Sequence, residues 1–336
     1  MRLFGKDLSK DIAVVAEIGL NHEGDPEAAM RMLKLAAEAG ADAIKFQTYT
    51  THRHVSSADP ERVARLQRFA LQEDAFRRLV HEGEQLGVTV FSTPLSEDVV
   101  PFLDTLCPVF KIASGDLTFE PVVRAAARTG KPVVLSTGMA TVEEIDTAVD
   151  WIREERGTDG LADGLLLMHC VSAYPTPPEQ ANLRSIPFLA DRYGVTVGYS
   201  NHVPGSEAML AAVALGAPVV EVHFTDRREG RTFRDHHLSL EPAELSALVG
   251  SLRAIRTMLG THGKPVAEAE EAGRQTNRKG VVAARELPSG TVLADTDMQY
   301  GRPATDFTAA ERPLLIGRRL TRSLKAGEII PRDAVA

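Results

Sequence analysis

The stretch VTVGYSNHVPG, residues 195–205, begins as an apolar β-strand and ends in polar groups. Ser200, Asn201 and His202 follow the β-favouring residues directly, and a proline and a glycine then turn the chain. Polar side chains at the carboxyl end of a buried strand are typical of the active-site mouth of a parallel α/β fold. The stretch therefore predicts both a strand and a functional site at its end.

The same arrangement recurs along residues 1–260, where short β-branched runs alternate with longer helical patterns. Eight βα units predict a (β/α)₈ TIM barrel, an α/β fold, with an open doubly wound sheet as the alternative. We favour the barrel because polar residues accumulate at the strand ends, and a barrel gathers those ends at one mouth. The candidate strands are 12–19, 41–48, 88–93, 109–114, 132–137, 164–170, 195–200 and 219–225.

The composition of the chain changes after the last long helical pattern. Residues 261–279 are polar and lack apolar periodicity, which predicts a linker. Beyond it, ELPSGTVLADTD (286–297) and SLKAGEIIPRDA (323–334) share the order of a leucine, a glycine and two aliphatic residues. Such a pseudo-repeat predicts a compact module of two similar halves. We therefore expect a barrel domain at 1–260 and a small β-rich domain at 280–336.

The 336 residues have the composition of an ordinary globular protein, with 43% apolar and 25% charged residues. The formal net charge of −8 argues against nucleic acid as a partner, because such binding requires a basic surface. No apolar run reaches the roughly 18 residues of a membrane helix, so no membrane association is expected. Cys107 and Cys170 suggest neither a disulfide framework nor a thiolate metal cluster, and we expect a cytoplasmic protein.

Two histidines, His202 and His223, lie near the ends of strands that would be adjacent in the barrel. Their imidazoles can share one divalent cation and leave coordination positions for water and substrate oxygen atoms. The alternative is that each histidine is an ordinary hydrogen-bonded residue of the mouth. We favour the metal site because the two positions match on neighbouring strands.

Lys45 and Lys111 lie within otherwise apolar strands, where an ammonium group without a partner is costly to bury. If they point inward they predict an anion site; the alternative is that either lysine extends outward between helices to solvent. Hydroxyl residues at the same strand ends favour a phosphate or carboxylate cradle. These residues are Ser92, Thr93, Ser114, Ser136 and Thr137.

Three carboxylates, Glu17, Asp116 and Asp235, are candidates for supporting a lysine, for acid or base chemistry, or for binding sugar hydroxyls. In the stretch HCVSAYPTP (169–177) a proline-rich turn is expected to present Tyr174 at the mouth. A tyrosine that merely packs within the turn is the alternative. The alternative for the three carboxylates is that they are solvated surface groups, as most acidic residues are.

At these residues the sequence resembles the sialic acid synthase family, which comprises N-acetylneuraminate synthase and its legionaminate and pseudaminate relatives. Nine motifs occur in the order and at the spacing of that family, and a tail similar to the antifreeze-like (SAF) domain follows. The motifs are AEIGLNHEGD (16–25), IKFQT (44–48), FSTP (91–94), FKIASGDL (110–117), STGM (136–139), SAYPTP (172–177), GYSNH (198–202), HFTD (223–226) and SLEP (239–242).

The resemblance implies a reaction as well as a fold. The reaction is a metal-dependent condensation of phosphoenolpyruvate with a small sugar, N-acetylmannosamine or a related amino sugar, which yields a nonulosonic (sialic-type) acid and phosphate. By the same resemblance His202 and His223 hold a divalent metal. That metal is expected to be Mn²⁺, with Mg²⁺ or Co²⁺ as alternatives.

The resemblance further implies roles for individual residues. The catalytic residues are Glu17, Lys111 and Asp116, and Asp116 stands where many relatives have glutamate. Arg302 is similar to an arginine that reaches the acceptor across a dimer, which implies a domain-swapped homodimer. The residues expected to bind phosphoenolpyruvate or the sugar are Lys45, Gln47, Thr93, Ser114, Ser172, Tyr174, Ser200, Asn201, Asp235 and Arg302.

The chain departs from the family pattern at the acceptor end. Relatives usually have Lys-Arg-Pro-Gly where this chain has Gly-Arg-Pro-Ala at 301–304. The stretch RREGRTFRDHH (227–237) surrounds Asp235 where relatives often have a glycine or Gly-Pro before the aspartate. These changes leave the acceptor open. The alternatives are the same chemistry on a different sugar aldehyde, and a non-catalytic sugar-binding protein.

Overall fold

The computed structural model describes residues 1–157 and 160–336. The described chain forms two compact units, Met1–Gly260 and Thr261–Ala336. The first unit begins with an antiparallel hairpin of β1 (Arg2–Leu3) and β2 (Lys6–Asp7). No helix in the described part of the chain combines the length and the apolar character that a membrane crossing requires.

Eight parallel strands follow the hairpin and close into a barrel, which confirms the predicted TIM barrel. Each strand pairs with the next along the chain, and the last strand pairs with the first. The barrel strands are β3 (Ala13–Gly19), β4 (Ala43–Thr48), β5 (Thr89–Pro94), β6 (Phe110–Ile112), β7 (Val133–Ser136), β8 (Leu165–His169), β9 (Thr196–Asn201) and β10 (Val219–His223).

The predicted strands differ from the observed ones mainly at β6. The prediction extended this strand to residue 114, but the sheet ends at Ile112 and Ser114–Asp116 is a 3₁₀ turn. The backbone N–H of Asp116 donates to the carbonyl of Ala113 (3.0 Å), so the chain curls away from its neighbouring strand there. The turn brings Ser114 to the mouth of the barrel.

Helices alternate with the strands in the order of repeated βα units. The helices are α1 (Pro26–Glu38), α2 (Thr51–His54), α3 (Pro60–Phe69), α4 (Glu73–Leu86), α5 (Val100–Asp104), α6 (Glu120–Arg128), α7 (Val142–Arg156), α8 (Leu161–Gly164), α9 (Ser185–Tyr193), α10 (Glu207–Ala214), α11 (Arg234–Leu238), α12 (Pro242–Leu259) and α13 (Glu271–Asn277).

Helix α1 shows how the sequence determines the start and the buried face of a helix that packs on the barrel. The Asp25 carboxylate accepts from the N–H of Glu27, and Pro26 supplies the first helical residue. Apolar residues at helical spacing, among them Met32 and Leu33, are fully buried against the barrel. Burial of each such side chain stabilises the fold by about 1.5–3 kcal/mol.

The register of the strands decides which polar side chains meet at the mouth. His223 of β10 lies beside Glu17 of β3, and Glu17 lies beside Lys45 of β4. A β-bulge between Glu17 and Gly19 gives Gly19 a φ of 55°. A Cβ at Gly19 would lie 2.9 Å from Glu17 Oε1 and 3.2 Å from Gln47 Nε2, so both the backbone and the contacts require glycine.

The second unit has a hydrophobic core of its own, which includes Val281, Leu293 and Ile330. Strands β11 (Gly280–Ala283) and β12 (Met298–Gly301) pair antiparallel. The leucines of the two echoing segments, Leu287 and Leu324, exchange backbone hydrogen bonds of 2.9 and 2.8 Å. Helix α13 lies inside the segment that the sequence predicted as a linker.

Candidate active site

A cavity of about 910 Å³ opens at the carboxyl ends of the barrel strands. Most of the side chains that the sequence predicted for the site line its wall. They are Glu17, Lys45, Gln47, Thr93, Lys111, Ser114, Ser172, Tyr174, Ser200, His202, His223 and Asp235. Strands that are far apart in sequence therefore bring these residues to one place.

Three predicted residues have other surroundings. The Asn201 side chain donates to the carbonyl of Val203 (2.9 Å) and accepts from the hydroxyl of Tyr199 (3.1 Å), so it braces the end of β9. Asp116 lies in the 3₁₀ turn Ser114–Asp116 and is not among the residues that line the cavity. Arg302 belongs to the second unit, where its Nε donates to the carbonyl of Asn277 (2.6 Å).

Lys45 points into the barrel, which excludes the outward orientation. Its Nζ lies 2.6 Å from Glu17 Oε2 and donates to Thr93 Oγ1 (3.2 Å). The Gln47 amide donates to the other oxygen of Glu17 (2.9 Å). These contacts fix the ammonium group and the carboxylate deep in the cavity.

Lys111 also points inward, and its Nζ donates to Ser136 Oγ (2.6 Å). The nearest carboxylate oxygen, Oε1 of Glu221, is 3.9 Å away, and it lies 3.8 Å from Nζ of Lys45. The Ser200 hydroxyl donates to the same oxygen (3.0 Å). Glu221 therefore stands between the two lysines without a close hydrogen bond to either.

These four buried residues, Glu17, Lys45, Lys111 and Glu221, form what we call the inner layer. Burial lowers the pKa of Lys111, since its partial attraction to Glu221 does not make up for lost hydration. Burial acts the same way on Lys45, but Glu17 and Glu221 outweigh it and raise its pKa. Lys111 is therefore the ammonium group that lacks a direct carboxylate partner.

The pKa values of the two carboxylates of the inner layer are shifted in opposite directions. Burial would raise the pKa of Glu221, but Lys111 and Lys45 outweigh it and lower the pKa to about 2. Burial and the nearby charge of Glu221 raise the pKa of Glu17, although Lys45 opposes them. The surroundings of the inner layer therefore favour the ionised form of Glu221 more than that of Glu17.

A nest of hydroxyl groups adjoins the lysines. The N–H of Gly138 donates to Ser114 Oγ (3.1 Å), and Ser172 Oγ is buried without a hydrogen-bond partner among the described residues. A Cβ at Gly138 would lie 2.4 Å from Ser172 Oγ and 2.8 Å from Ser114 Oγ. The absence of a side chain at Gly138 therefore keeps open a small space lined by donors, as an anion requires.

The rings of His202 and His223 have centroids 5.5 Å apart. Burial and the neighbouring His223 lower the pKa of His202 to about 4, and burial lowers the pKa of His223. Both rings are therefore neutral near pH 7, which is the form that ligates metals. The Nδ1 of His202 faces the carbonyl of Val171 (2.8 Å) and must carry its proton, so Nε2 has the free lone pair.

A buried nitrogen atom of His223 also suits a metal site. Nδ1 of His223 is buried and has no hydrogen-bond partner in the described structure. No group of three or more His, Cys, Asp or Glu side chains within residues 1–157 and 160–336 is arranged to hold a metal. The chain would therefore supply two imidazoles to a divalent cation and leave its other positions to water and substrate.

The outer part of the cavity carries aromatic and charged groups from the loops. The Tyr174 ring lies 4.2 Å from that of His202, and the guanidinium of Arg234 lies 5.0 Å from the Tyr174 ring. Arg234 also pairs with Asp235 (3.1 Å). Tyr174 therefore stands at the mouth, as predicted, and not inside the packed turn.

Asp116 is coupled to the site through charge. Burial raises its pKa to about 6, and the positive charge of Lys111 opposes that shift. A carboxyl group with this pKa exchanges its proton close to neutral pH. It has the acid–base property expected of a catalytic residue, although it is not one of the residues that line the cavity.

Sequence reasoning gave no role to Glu221 or to the arginines of α3. Glu221 is buried between the lysines, and a single polar residue within an apolar strand was its only signal. Arg62, Arg65 and Arg68 line the outer cavity wall. Their spacing of three residues in a charged helix was the available signal, but it equally fits a solvated surface.

Comparison with protein families matches residues 32–264 to the NeuB family and residues 278–336 to the SAF domain. The chain belongs to the NeuB family. This family contains the sialic, legionaminic and pseudaminic acid synthases, so the predicted resemblance is confirmed. The chain is accordingly a phosphoenolpyruvate-dependent synthase of the nonulosonic acid type, and the family uses a divalent metal.

Individual relatives extend over nearly the whole chain. An uncharacterised protein of Methanocaldococcus jannaschii is 37% identical over 94% of this chain and 92% of its own length. The N,N'-diacetyllegionaminic acid synthase of Campylobacter jejuni is 31% identical over 96% of this chain and 99% of its own.

A solved structure agrees with these relatives. The N-acetylneuraminic acid synthetase of Leptospira borgpetersenii, solved in complex with citrate, has a TM-score of 0.73 and is 34% identical. The match covers 78% of this chain and 90% of that one. Relatives of similar identity carry names of different sugar acids, so the family does not specify the acceptor of this chain.

Proposed function

We propose that this protein condenses phosphoenolpyruvate with the open-chain form of N-acetylmannosamine or a related amino sugar. Water is the third reactant, and the products are a nonulosonic acid and inorganic phosphate. The observation that carries the proposal is the convergence of two buried lysines and two neutral histidines in one cavity. The same chemistry on a different sugar aldehyde is the alternative.

In this proposal the inner layer and the hydroxyl nest bind phosphoenolpyruvate. Among the described residues, Lys111 has no carboxylate within hydrogen-bond distance of its Nζ. An incoming phosphate or carboxylate would supply that partner and offset the cost of burying the ammonium group. The hydroxyls of Ser114 and Ser172 supply further donors, and the Gly138 N–H holds the Ser114 hydroxyl in place. Thr93, Ser136 and Ser200 hold the lysines and Glu221 in position.

His202 and His223 would hold the divalent cation, for which we propose Mn²⁺ with Mg²⁺ or Co²⁺ as alternatives. When bound, such a cation polarises a carbonyl oxygen as a Lewis acid. The carbonyl of Val171 orients the ring of His202 through Nδ1 and so directs Nε2 away from the backbone.

The proposed reaction forms a bond from C3 of phosphoenolpyruvate to the aldehyde carbon and leaves a cation at C2. The former aldehyde oxygen takes up a proton and becomes a hydroxyl group. Water adds at C2, and phosphate leaves when the C2–O bond breaks and the keto group forms. Asp116, with its pKa raised to about 6, would accept the proton that the water loses. The ammonium groups of the inner layer stabilise the departing phosphate.

The acceptor would lie toward the mouth. Gln47, Tyr174 and Asp235 line the cavity and offer an amide oxygen, a phenol and a carboxylate to sugar hydroxyls. We further propose that the protein acts as a domain-swapped homodimer in which Arg302 of the partner subunit contacts the acceptor. Arg302→Ala should then raise the KM for the sugar, and light scattering should report a dimer.

The function is tested by phosphate release from phosphoenolpyruvate with Mn²⁺ and a panel of N-acetylated and plain aldoses. Mass spectrometry of the product then identifies the new sugar acid. We expect stoichiometric phosphate and a product whose mass equals that of the aldose plus pyruvate. If no aldose consumed phosphoenolpyruvate, the proposal would fail and the non-catalytic sugar-binding alternative would return.

A further inference from the structure

A row of three arginines lies along the outer cavity wall. Arg62, Arg65 and Arg68 of α3 all line the cavity, and their spacing places them on neighbouring positions of one helix face. We call these residues the arginine stripe. The proposed binding of phosphoenolpyruvate uses the buried lysines, so it gives the arginine stripe no ligand.

Helix α3 is held at the cavity wall by the packing of its buried residues. Leu66 and Phe69 are buried and pack with Leu20 and Tyr49 in a cluster separate from the main core. The Tyr49 hydroxyl donates to the carbonyl of Leu66 (3.0 Å), and the Phe69 ring lies edge-on to Phe233 (5.2 Å). The arginine stripe therefore occupies a defined wall of the cavity.

The cavity wall carries an excess of positive charge, although the whole chain has a net charge of −8. Six cationic side chains line the cavity against four carboxylates. The cations are Lys45, Lys111, Arg62, Arg65, Arg68 and Arg234, and the carboxylates are Glu17, Glu23, Glu221 and Asp235. The excess lies in the outer part, because the inner layer holds two lysines and two glutamates.

The outer carboxylates already have cationic partners. Asp235 pairs with Arg234 (3.1 Å), and Glu23 pairs with Arg231 (3.4 Å). Within the described part of the chain, none of the three guanidinium groups of the arginine stripe forms an ion pair with a carboxylate. The charge of the arginine stripe is therefore available to a ligand.

We propose that the arginine stripe binds an anionic group at the end of the acceptor aldose distal to its aldehyde. This inference rests on the proposed function and specifies its acceptor class. A phosphate ester and a carboxylate both fit, because a guanidinium donates paired hydrogen bonds to either. The competing explanation is that the arginine stripe only steers the phosphoenolpyruvate anion into the cavity.

The test compares three acceptors at saturating phosphoenolpyruvate: N-acetylmannosamine, its 6-phosphate ester and the corresponding uronic acid. The measured quantity is kcat/KM for each acceptor with the full-length protein and Mn²⁺. We expect a preference of about tenfold or more for an anionic acceptor over the neutral one, as one charged hydrogen bond supplies. The ester and the uronic acid distinguish phosphate from carboxylate as the bound group.

Substitution assigns that preference to the arginine stripe. Arg65→Gln and Arg68→Gln should each reduce the ratio of anionic to neutral kcat/KM by about tenfold. Arg184→Gln is the matched control, because Arg184 is exposed and lies outside the cavity wall. Its ratio should equal that of the unchanged protein.

Three results would overturn the inference. If all three acceptors reacted equally well, or if the arginine substitutions raised only the KM for phosphoenolpyruvate, the arginine stripe would not bind the acceptor and the proposed function would stand. If no acceptor in the aldose panel consumed phosphoenolpyruvate, the proposed function itself would fail and this inference with it.

Discussion

The inner layer and the arginine stripe place their charged side chains in opposite environments. Each side chain of the inner layer is buried on a barrel strand and lies within 4 Å of an opposite charge. The arginine stripe is exposed and lies on a helix outside the barrel. The rigid barrel strands are suited to hold the groups that carry out the reaction common to the family. The outer wall can change without disturbing the core, so it is suited to select among acceptors.

The largest effect should come from the histidines above the inner layer. His202→Ala or His223→Ala should reduce turnover by about a thousandfold, the scale of losing an electrophilic stabiliser, while circular dichroism stays unchanged. Mn²⁺ binding, followed by electron paramagnetic resonance, should be lost in parallel. His81→Ala, in the exposed part of α4, is the control. Full activity after exhaustive chelation would remove the metal from the mechanism.

Lys111→Ala should have the next largest effect. Loss of one charge-assisted contact costs about 1.5–3 kcal/mol, so the Kd for phosphoenolpyruvate should rise about ten- to a hundredfold in calorimetric titration. Lys34→Ala is the control, because that ammonium pairs with Glu82 (3.0 Å) at the surface. An unchanged Kd would show that Lys111 does not bind the anion.

Gly138→Ala tests the hydroxyl nest without removing a charge. The added methyl group would crowd Ser172 Oγ and Ser114 Oγ, so phosphoenolpyruvate should bind about tenfold more weakly, as expected when one hydrogen bond to a charged group is lost. Gly250→Ala in α12 serves as the control, since nothing lies within 4 Å of a Cβ there. Equal affinity in both variants would mean that the anion binds elsewhere.

Asp116 does not line the cavity, and its effect on stability should be modest. Its folded-state pKa of about 6 exceeds the ordinary 3.8, so the stability present below pH 3.8 is lost as pH rises through about 6. Asp116→Asn should therefore raise the free energy of unfolding in urea by roughly 1 kcal/mol at pH 8 after solvent screening. The same variant should show no gain at pH 3.5, and a gain there would disprove the assignment.

The smallest effect is expected at the arginine stripe. Arg65→Gln should change the free energy of unfolding by less than about 0.5 kcal/mol, because an exposed side chain without an ion pair contributes little. Urea denaturation measures this change, with Lys111→Ala compared in the same experiment. A clear loss of stability in Arg65→Gln would mean that the arginine stripe is structural, and the contrast with the inner layer would disappear.

The barrel was predictable because its signals are local. Alternating apolar runs and helical patterns identify strands without reference to their partners, and all eight strands occur near their predicted positions. The end of β6 was not predictable to the residue, because a single backbone hydrogen bond of Asp116 ends the strand. Strand boundaries depend on such contacts more than on composition.

Most residues of the site could be predicted from the sequence, but the contacts between them could not. Lys45 and Lys111 were identifiable from the cost of burying an ammonium group, but the glutamate between them was not. Asn201 has the same sequence signal as Ser200, yet its amide bonds to the backbone of its own loop. Only coordinates distinguish these cases, since both are polar residues at the end of one strand.

The closed ring of strands has a practical consequence for redesign. A ring has no first or last strand, so no unpaired backbone edge is exposed when a loop at the mouth is exchanged. Exchange of the segment 227–237, which contributes Thr232–Asp235 to the cavity wall, would therefore leave every barrel strand paired on both sides. The closed barrel therefore separates changes in the loops at the mouth from the pairing of the strands beneath them.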